Sequence, residues 1–320
     1  MRSPPVTLGI IGLGYTGLNH CRAAANVPAL RIVAGAETGS VPESLPFPVH
    51  SDWRLLMDDP GIDAVSICLP HHLHGEVART ALQAGKHVLL EKPIAGTLAE
   101  ARQIVETARA AKQTLMIEMT HRFYPPVRAG HDLIRAGRLG KIFAVEDRII
   151  EPLTKGRLPG WMFQRALAGG GVAMTNGIHM LDRVAWVTGQ PLRFHAGVAG
   201  WTQQWGDIED TAAMQLSLAD STPVHLLAAW PASTAKPDNE LTVYGTGGTL
   251  RIWAWRGWRF EPATGTPEEH ESYAPTDDPV ARARVGMAGA LREFATAVTE
   301  SRAPNPAAEE VLAAQEVIEE

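Results

Sequence analysis

The feature that most constrains the fold stands near the start of the chain. Residues 6–12 (VTLGIIG) are almost entirely apolar and lead without a break into GLGYTG at residues 12–17. A short strand with no polar face has to be buried on both sides, as strands are in a parallel sheet covered by helices. The texture recurs downstream. Apolar runs at 30–36, 63–69, 87–90 and 114–118 alternate with helical patterns reaching about residue 25, then at 51–57, 73–84 and 97–111. Thr97, with Glu100 three residues on, has the form of a capping box for the last of these. Strand and helix alternating in this order predict a doubly wound parallel sheet.

After about residue 120 the pattern changes. A helix is expected at about 126–136 and a strand at 142–150. A loop broken by Pro and Gly then runs to 160, followed by a helix at about 172–186. Strands follow at about 194–201, 210–218, 224–230, 241–245, 249–255 and 258–261, with Gly247-Gly248 as a hairpin signal. Helices at about 279–300 and 307–320 close the chain. Strands that succeed one another without helices argue an antiparallel sheet. The expectation is an α/β protein with two domains, a dinucleotide-type Rossmann domain over 1–120 and an α+β domain over 121–320.

Composition narrows the function classes. Of 320 residues, 45% are hydrophobic and 20% charged, enough apolar mass for a core in each domain. The net charge of −6 lacks the basic footprint of a nucleic-acid or anionic-membrane binder. No apolar run reaches the length of about 18 residues that a membrane span needs, and the N-terminus does not read as a signal peptide. Cys21 and Cys68 form neither a disulfide framework nor a C-x-x-C pair. A reducing cytoplasm fits these features.

The glycine turn is a G-x-G-x-x-G between a strand and a helix. Gly12 permits the tight turn, Gly14 a close approach of pyrophosphate, and Gly17 close helix–strand packing. Leu13, Tyr15 and Thr16 complete the loop, whose backbone N–H groups open the helix toward phosphate charge. Glu37 lies 20 residues after Gly17, at the end of the second strand. A carboxylate there accepts from ribose hydroxyls and repels a 2′-phosphate, so the expected cofactor is NAD in preference to NADP.

Residues 85–93 read GKHVLLEKP. Lys92 falls just past the carboxyl end of the fourth strand, the edge at which open parallel sheets bind ligands. By itself it reads slightly better as a surface lysine. The runs at 69–118 and 121–126 (HRFYPP), however, closely resemble the Gfo/Idh/MocA family of nicotinamide-dependent oxidoreductases. GLGYTG, Glu37, Glu91-Lys92-Pro93 and GGGVAMTNGIHMLD (169–182) follow in the family's order, and the resemblance covers essentially the whole chain.

The resemblance implies a large, mostly antiparallel open sheet in the second domain and a sugar, cyclitol or related polyol as substrate. It places Lys92 at the nicotinamide in contact with the reacting oxygen, behind a cis Lys92-Pro93 bond. Pro70, His71 and His74 correspond to the family's turn beside the cofactor, with His71 where asparagine is usual. Glu91 belongs to the same cofactor edge. Packing there is favoured over a metal site for the histidines at 71, 72 and 74, and no metal is expected. The family commonly continues past the position of Glu320.

The family's second motif is approximately G-G-G-x-x-x-D-x-G-x-H-x-x-D. Gly169, Gly170, Gly171, Gly177, His179 and Asp182 match it. Thr175 stands where the family has its first aspartate, and Asn176 follows. By the resemblance His179 exchanges the proton of the alcohol, a task suited to a group with an ordinary pKa near about 6.5. Read alone, it is equally a helix-core histidine. Threonine carries no charge, so His179 and Lys92 remain the proton-handling pair, with Thr175, Asn176 and Asp182 as substrate contacts.

Arg122 is a candidate for substrate contact or for a salt bridge. Trp161 and Lys155 lie where the family places substrate-facing residues. Trp201, Trp205, Trp230, Trp253, Trp255 and Trp258 stud the second domain and predict sheet-face packing in a homodimer or homotetramer. The expected activity is hydride transfer between nicotinamide and a hydroxyl or carbonyl carbon of a sugar-like substrate. The alternatives are a glycosidase that keeps NAD and oxidises transiently, and a non-catalytic sugar or nucleotide sensor.

Overall fold

The structure, a computed structural model, describes residues 5–41, 44–154, 156–232, 236–271 and 279–320. Contacts divide the chain into two compact units, Met1–Thr120 with Ala283–Leu312, and His121–Arg282 with Ala313–Glu320.

The first unit is built on six strands, β1 (Val6–Ile11), β2 (Leu30–Ala36), β3 (Val49–His50), β4 (Ala64–Ile67), β5 (His87–Leu90) and β6 (Leu115–Ile117). Their order is β3-β2-β1-β4-β5-β6 and every pair is parallel. Helices α1 (Tyr15–Ala24), α2 (Arg54–Asp58), α3 (His71–Gln83) and α4 (Leu98–Ala111) supply the connections. Leu8, Ile10, Val65, Ile67, Val88, Leu89 and Leu90 are wholly buried, which is why these strands read as unbroken apolar runs. The cap of α4 forms as its sequence predicts, with Thr97 Oγ1 accepting from Glu100 N at 3.3 Å. The two-residue edge strand β3 is too short to leave a period in the sequence.

The second unit carries α5 (Pro125–Arg135), β7 (Ile142–Ile150), α6 (Arg165–Ala168) and α7 (Ile178–Thr188). Seven further strands follow, β8 (Leu192–Gly200), β9 (Thr211–Leu218), β10 (Pro223–Ala229), β11 (Asp238–Gly245), β12 (Gly248–Trp253), β13 (Gly257–Pro262) and β14 (Glu268–Glu271). The order is β14-β13-β12-β11-β7-β10-β9-β8, antiparallel throughout except for the parallel pair β7 and β10. The hairpin turns at Thr246-Gly247, where Gly245 pairs Gly248.

One face of this sheet is a core of Val145, Ile149, Val224, Leu226, Leu241, Val243, Leu250 and Ile252. Helix α5 lies so close to it that a Cβ on Gly130 would stand 2.2 Å from Ile252 Cδ1. The other face is half-exposed and mixes Trp253 and Tyr244 with Arg148, Glu240 and Arg251. Trp230 departs from the expectation of a sheet-face tryptophan. It is 3% exposed and its indole N–H is hydrogen-bonded internally.

Two more helices, α8 (Pro279–Glu300) and α9 (Ala308–Glu319), close the chain. The sequence reading runs both with the second domain, whereas contacts group 283–312 with the parallel-sheet unit. An amphipathic helix announces its apolar face, here Ala290, Leu291, Phe294 and Ala295, but not the surface that covers it. An ion pair of 3.1 Å between Arg109 and Glu309 ties the start of α9 to α4.

Candidate functional site

Parallel strands bring their carboxyl ends to one edge, and most of the residues singled out in the first unit lie there. Gly12 has φ +87°, and a Cβ on it would stand 2.5 Å from Cys68 O. A Cβ on Gly17 would stand 1.9 Å from Gly12 O, so α1 packs on the turn only with glycine there. A Cβ on Gly14 would meet nothing within 4 Å. The space is open at the position where a phosphate needs to approach. Gly14 also starts α1 without a side-chain cap, and Tyr15 beside it is 65% exposed. These residues fit a dinucleotide pyrophosphate, with the helix N–H groups directed at it.

Glu37 stands beside this turn. Its Oε2 accepts from Leu13 N at 2.8 Å and its Oε1 from Gly39 N at 2.9 Å. The carboxylate therefore stiffens the loop, and each oxygen keeps lone-pair capacity for a ribose hydroxyl. Pro70 precedes α3, which opens at His71, two residues earlier than the sequence predicts. His74 is fully buried, with Nδ1 2.9 Å from Pro93 O and Nε2 2.9 Å from Leu69 O. Burial lowers its pKa. Its ring pins the Lys92-Pro93 turn to the turn before α3. His71 is also buried, its ring centroid 5.6 Å from that of His74, while His72 is exposed.

Lys92 directly follows Glu91 at the end of β5, and its bond to Pro93 is cis. Lys92 N donates to Glu91 Oε2 at 3.1 Å. The sequence reading misses the inward neighbours of Glu91. Ligand-type atoms of His20, Glu91 and Glu118 all lie within 4.8 Å of one another. His20 is in the middle of α1 and Glu118 directly follows β6, and only the tertiary fold joins them.

In the second unit the triple glycine serves a close approach. A Cβ on Gly171 would stand 1.9 Å from Glu209 O. The Glu209 carboxylate accepts from Gly171 N at 2.8 Å and Ala173 N at 3.1 Å, and Arg165 Nη2 lies 3.1 Å from its other oxygen. The helix that follows starts as a π-helical turn, Ala173–Gly177, before α7. Thr175 sits in that turn, so it does not stand one regular α-helical step of four residues before His179.

His179 is 8% exposed and stacks on His121, with ring centroids 4.3 Å apart and planes 11° apart. Arg183 Nη1 lies 3.3 Å from His121 Nδ1. A guanidinium only donates, so His121 Nδ1 accepts and the ring hydrogen is on Nε2. Arg183 is itself held by Asp147 and by Asn239 Oδ1, all three buried.

Asp182 and Arg122 are engaged with each other. Arg122 Nη2 donates to Asp182 Oδ1 at 2.6 Å and Nε to Oδ2 at 2.9 Å, with both residues at most 3% exposed. Asn176 is likewise engaged internally. It accepts from Trp230 Nε1 at 2.8 Å and donates to Glu151 Oε2 at 3.3 Å. Trp161 is half-buried in the turn Gly160–Phe163. Lys155 lies outside the described residues. Asp147, Arg183, Glu209 and Asn239 carry no local motif, and nothing short of their pairing could have found them, whereas His121 opens the HRFYPP run.

Comparison with known proteins accords with this geometry. Residues 6–119 match the family described as "Oxidoreductase family, NAD-binding Rossmann fold", and residues 127–251 match the "GFO/IDH/MocA C-terminal domain". Levoglucosan dehydrogenase of Pseudarthrobacter phenanthrenivorans is 28% identical over 218 residues, which are 61% of this chain and 54% of that protein. D-glucoside 3-dehydrogenase of Escherichia coli is 37% identical over 131 residues, 40% of this chain and 36% of that protein. The matched part of this chain thus spans about half of the first relative's length and about a third of the second's. An uncharacterized oxidoreductase of Synechocystis is 26% identical over 95% of this chain and 90% of its own length. Among solved structures, levoglucosan dehydrogenase in complex with NADH and levoglucosan superposes with a TM-score of 0.87. It covers 98% of this chain and 95% of its own at 22% identity, a likeness of fold.

Proposed function

The chain belongs to the Gfo/Idh/MocA family of oxidoreductases, and on that premise we propose that it is an NAD-dependent oxidoreductase of a sugar, cyclitol or related polyol. The observation that carries the reading is the single edge of the parallel sheet. The open Gly14, the Glu37 carboxylate and the turn bearing Lys92 all stand at its strand ends. The relatives named levoglucosan dehydrogenase and D-glucoside 3-dehydrogenase support a carbohydrate substrate.

NAD, when bound, supplies the acceptor or donor of the hydride. Gly12–Gly17 hold its pyrophosphate and Glu37 its adenosine ribose, which favours NAD over NADP. Lys92 orients the reacting oxygen as a hydrogen-bond donor, and the imidazole of His179 takes or returns the proton. Thr175, Trp161 and Lys155 contact substrate. Asn176, Asp182 and Arg122 complete that surface, each held by its internal bonds.

The half-exposed sheet face mediates self-association. Phe143 and Val198 are 54% and 75% exposed, and Trp201 in the loop after β8 is 48% exposed. A specific interface of this kind buries well over about 1,000 Å². A scattering mass of one chain at micromolar concentration excludes it. None of the described helices is long and apolar enough to cross a membrane, and a cytoplasmic location fits the reading.

The direct test is a panel of sugars and cyclitols with NAD and NADP, read at the nicotinamide absorbance. On the substrate so found, Lys92→Met abolishes turnover and leaves NADH affinity nearly intact, because the glycine turn is untouched. Undiminished turnover in Lys92→Met removes the chemistry from this edge.

A further inference from the structure

The ends of β4, β5 and β6 enclose ionisable side chains that no step above uses. His20 on α1 is fully buried, and its Nδ1 lies 2.9 Å from Ser66 Oγ. Its Nε2 makes a short contact with Glu118 Oε2 and lies 3.5 Å from Glu91 Oε1. Glu118 is 1% exposed, and its N–H donates to Leu90 O at 2.8 Å, which fixes it beside the end of β5. The other Glu91 oxygen accepts from Lys92 N. An unbroken chain of contacts therefore runs from Glu118 through His20 and Glu91 to the backbone N–H of Lys92.

Two carboxyl groups that face one imidazole in a dry interior cannot all choose their charge freely. Burial is the strongest influence on Glu118 and pushes its carboxyl up to about 7, with the Glu91 charge adding to the shift. Burial acts on Glu91 too, but hydrogen bonding and charge from His20, and then the Lys92 ammonium, pull it down to about 2. For His20 burial opposes the charged form, and Cys68 and Glu118 outweigh it and raise the imidazole well above its ordinary value. Burial raises the Cys68 thiol and lowers His74. The roles divide accordingly. His20 is cationic, Glu91 anionic, and Glu118 changes charge around neutral pH.

We infer that Glu118 and His20 are positioning residues that act on Lys92 through Glu91, a buried carboxyl–imidazole–carboxylate chain whose far end sets the charge beneath the lysine. With Glu118 ionised the chain carries one net negative charge; with Glu118 protonated it carries none. The ammonium form of Lys92 is held more firmly in the first state. The bearing of this chain on catalysis rests on the reading of Lys92 given above.

The test uses 13C-lysine-labelled and 13C-glutamate-labelled protein followed by NMR across pH, with Lys92→Met to assign the lysine signal. In the unaltered protein one glutamate carboxyl titrates near pH 7, and it is the one missing from Glu118→Gln. In that variant Lys92 titrates about one pH unit lower, and the alkaline limb of kcat moves with it. KM changes by less than about twofold, which a general loosening of the site would not spare. An unchanged Lys92 midpoint in Glu118→Gln overturns the inference. So does the absence of any glutamate titrating near neutrality in the unaltered protein, a measurement that needs no variant to fold. A stoichiometric divalent cation in the purified protein also overturns it, since His20, Glu91 and Glu118 would then be its ligands. Turnover retained in Lys92→Met is a different failure. It overturns the assignment of Lys92 and leaves the lysine and glutamate titrations to judge the buried chain.

Discussion

The two regions that carry the candidate chemistry are built in opposite ways. At the edge of the parallel sheet the groups come from strand ends, and the backbone delivers them. Gly12, Glu37, Pro70, Lys92 and Glu118 each lie within three residues of the end of a strand. Around α7 the groups are delivered by side-chain pairing across long separations. Arg122 and Asp182 are 60 residues apart in sequence, and Arg183 and Asn239 are 56 apart. The difference predicts how each region fails. Removing a side chain at the sheet edge, Glu37 apart, changes chemistry and leaves the backbone scaffold standing. Removing a partner near α7 leaves an uncompensated charge in the core.

The largest effect sharpens this comparison from the α7 side. His179→Ala lowers turnover by about 10²- to 10⁴-fold, the usual contribution of a positioned acid or base. NADH affinity stays close to normal, because the glycine turn is unaltered. His121→Leu keeps a ring-sized neighbour against His179 and loses the hydrogen bond to Arg183, so its loss in turnover is smaller. If His179→Ala turns over normally on the true substrate, the second region is structural and holds no proton-transfer group.

Next in size is the buried pair itself. Arg122→Met strands the Asp182 carboxylate, which is fully buried with its partner, and costs about 3–5 kcal/mol of unfolding free energy in denaturant titration. The double change Arg122→Met with Asp182→Leu recovers much of that loss, because no charge is then left unpaired. A single mutant that costs less than about 1 kcal/mol would show the pair to be solvated and would erase the contrast between the regions.

A third effect tests whether the sheet edge also contains buried charge. The carboxyl of Glu118 is held at about 7 against 4.5 for an ordinary glutamate. A raised folded value means stability that is fully present below about pH 4.5 and lost as pH rises through about 7. Glu91 has the opposite sign, with stability present above about pH 4.5 and lost as pH falls toward 2. Glu118→Gln therefore flattens the decline on the neutral side by about 1–3 kcal/mol and leaves the acid side in place. An identical pH dependence in mutant and parent would mean that Glu118 does not titrate in this range.

What could be read in the sequence follows the same division. The five longer strands of the parallel sheet and the three glycine positions are legible because full burial and a fixed turn geometry leave a local record. The cap of α4 is legible for the same reason. Strand β3 is not, with two residues, nor is the single helical turn Arg165–Ala168, nor β14, whose residues Glu268–Glu271 are all polar and leave no apolar run. The π-helical turn is hidden because a five-residue bulge leaves the apolar pattern of the helix readable as an ordinary α-helix. The destination of Ala290, Leu291 and Phe294 is hidden because an apolar face does not name its partner. His20 and Glu118 were invisible as a pair, since strand order, not sequence distance, makes them neighbours.

The smallest effect concerns Glu37, where one side chain serves both the scaffold and the ligand. Its two oxygens hold the N–H groups of Leu13 and Gly39, so replacing it does more than remove a charge. Glu37→Gln keeps one acceptor for those two donors and presents an amide N–H where the second oxygen stood. The loss is about 1 kcal/mol, or about fivefold in NADH affinity. The gap between NADH and NADPH narrows at the same time, because a neutral amide no longer repels a 2′-phosphate. Glu37→Ser releases both backbone donors and loosens the glycine turn. It gains NADPH affinity only when Thr38→Arg supplies a cation for the extra phosphate. Binding of both cofactors to the unaltered protein and the three variants by calorimetry separates the two functions of Glu37. Equal weakening of NADH and NADPH in Glu37→Gln would leave it a loop-stiffening residue alone. Tighter binding of NADPH than NADH by the unaltered protein would remove its role in cofactor choice.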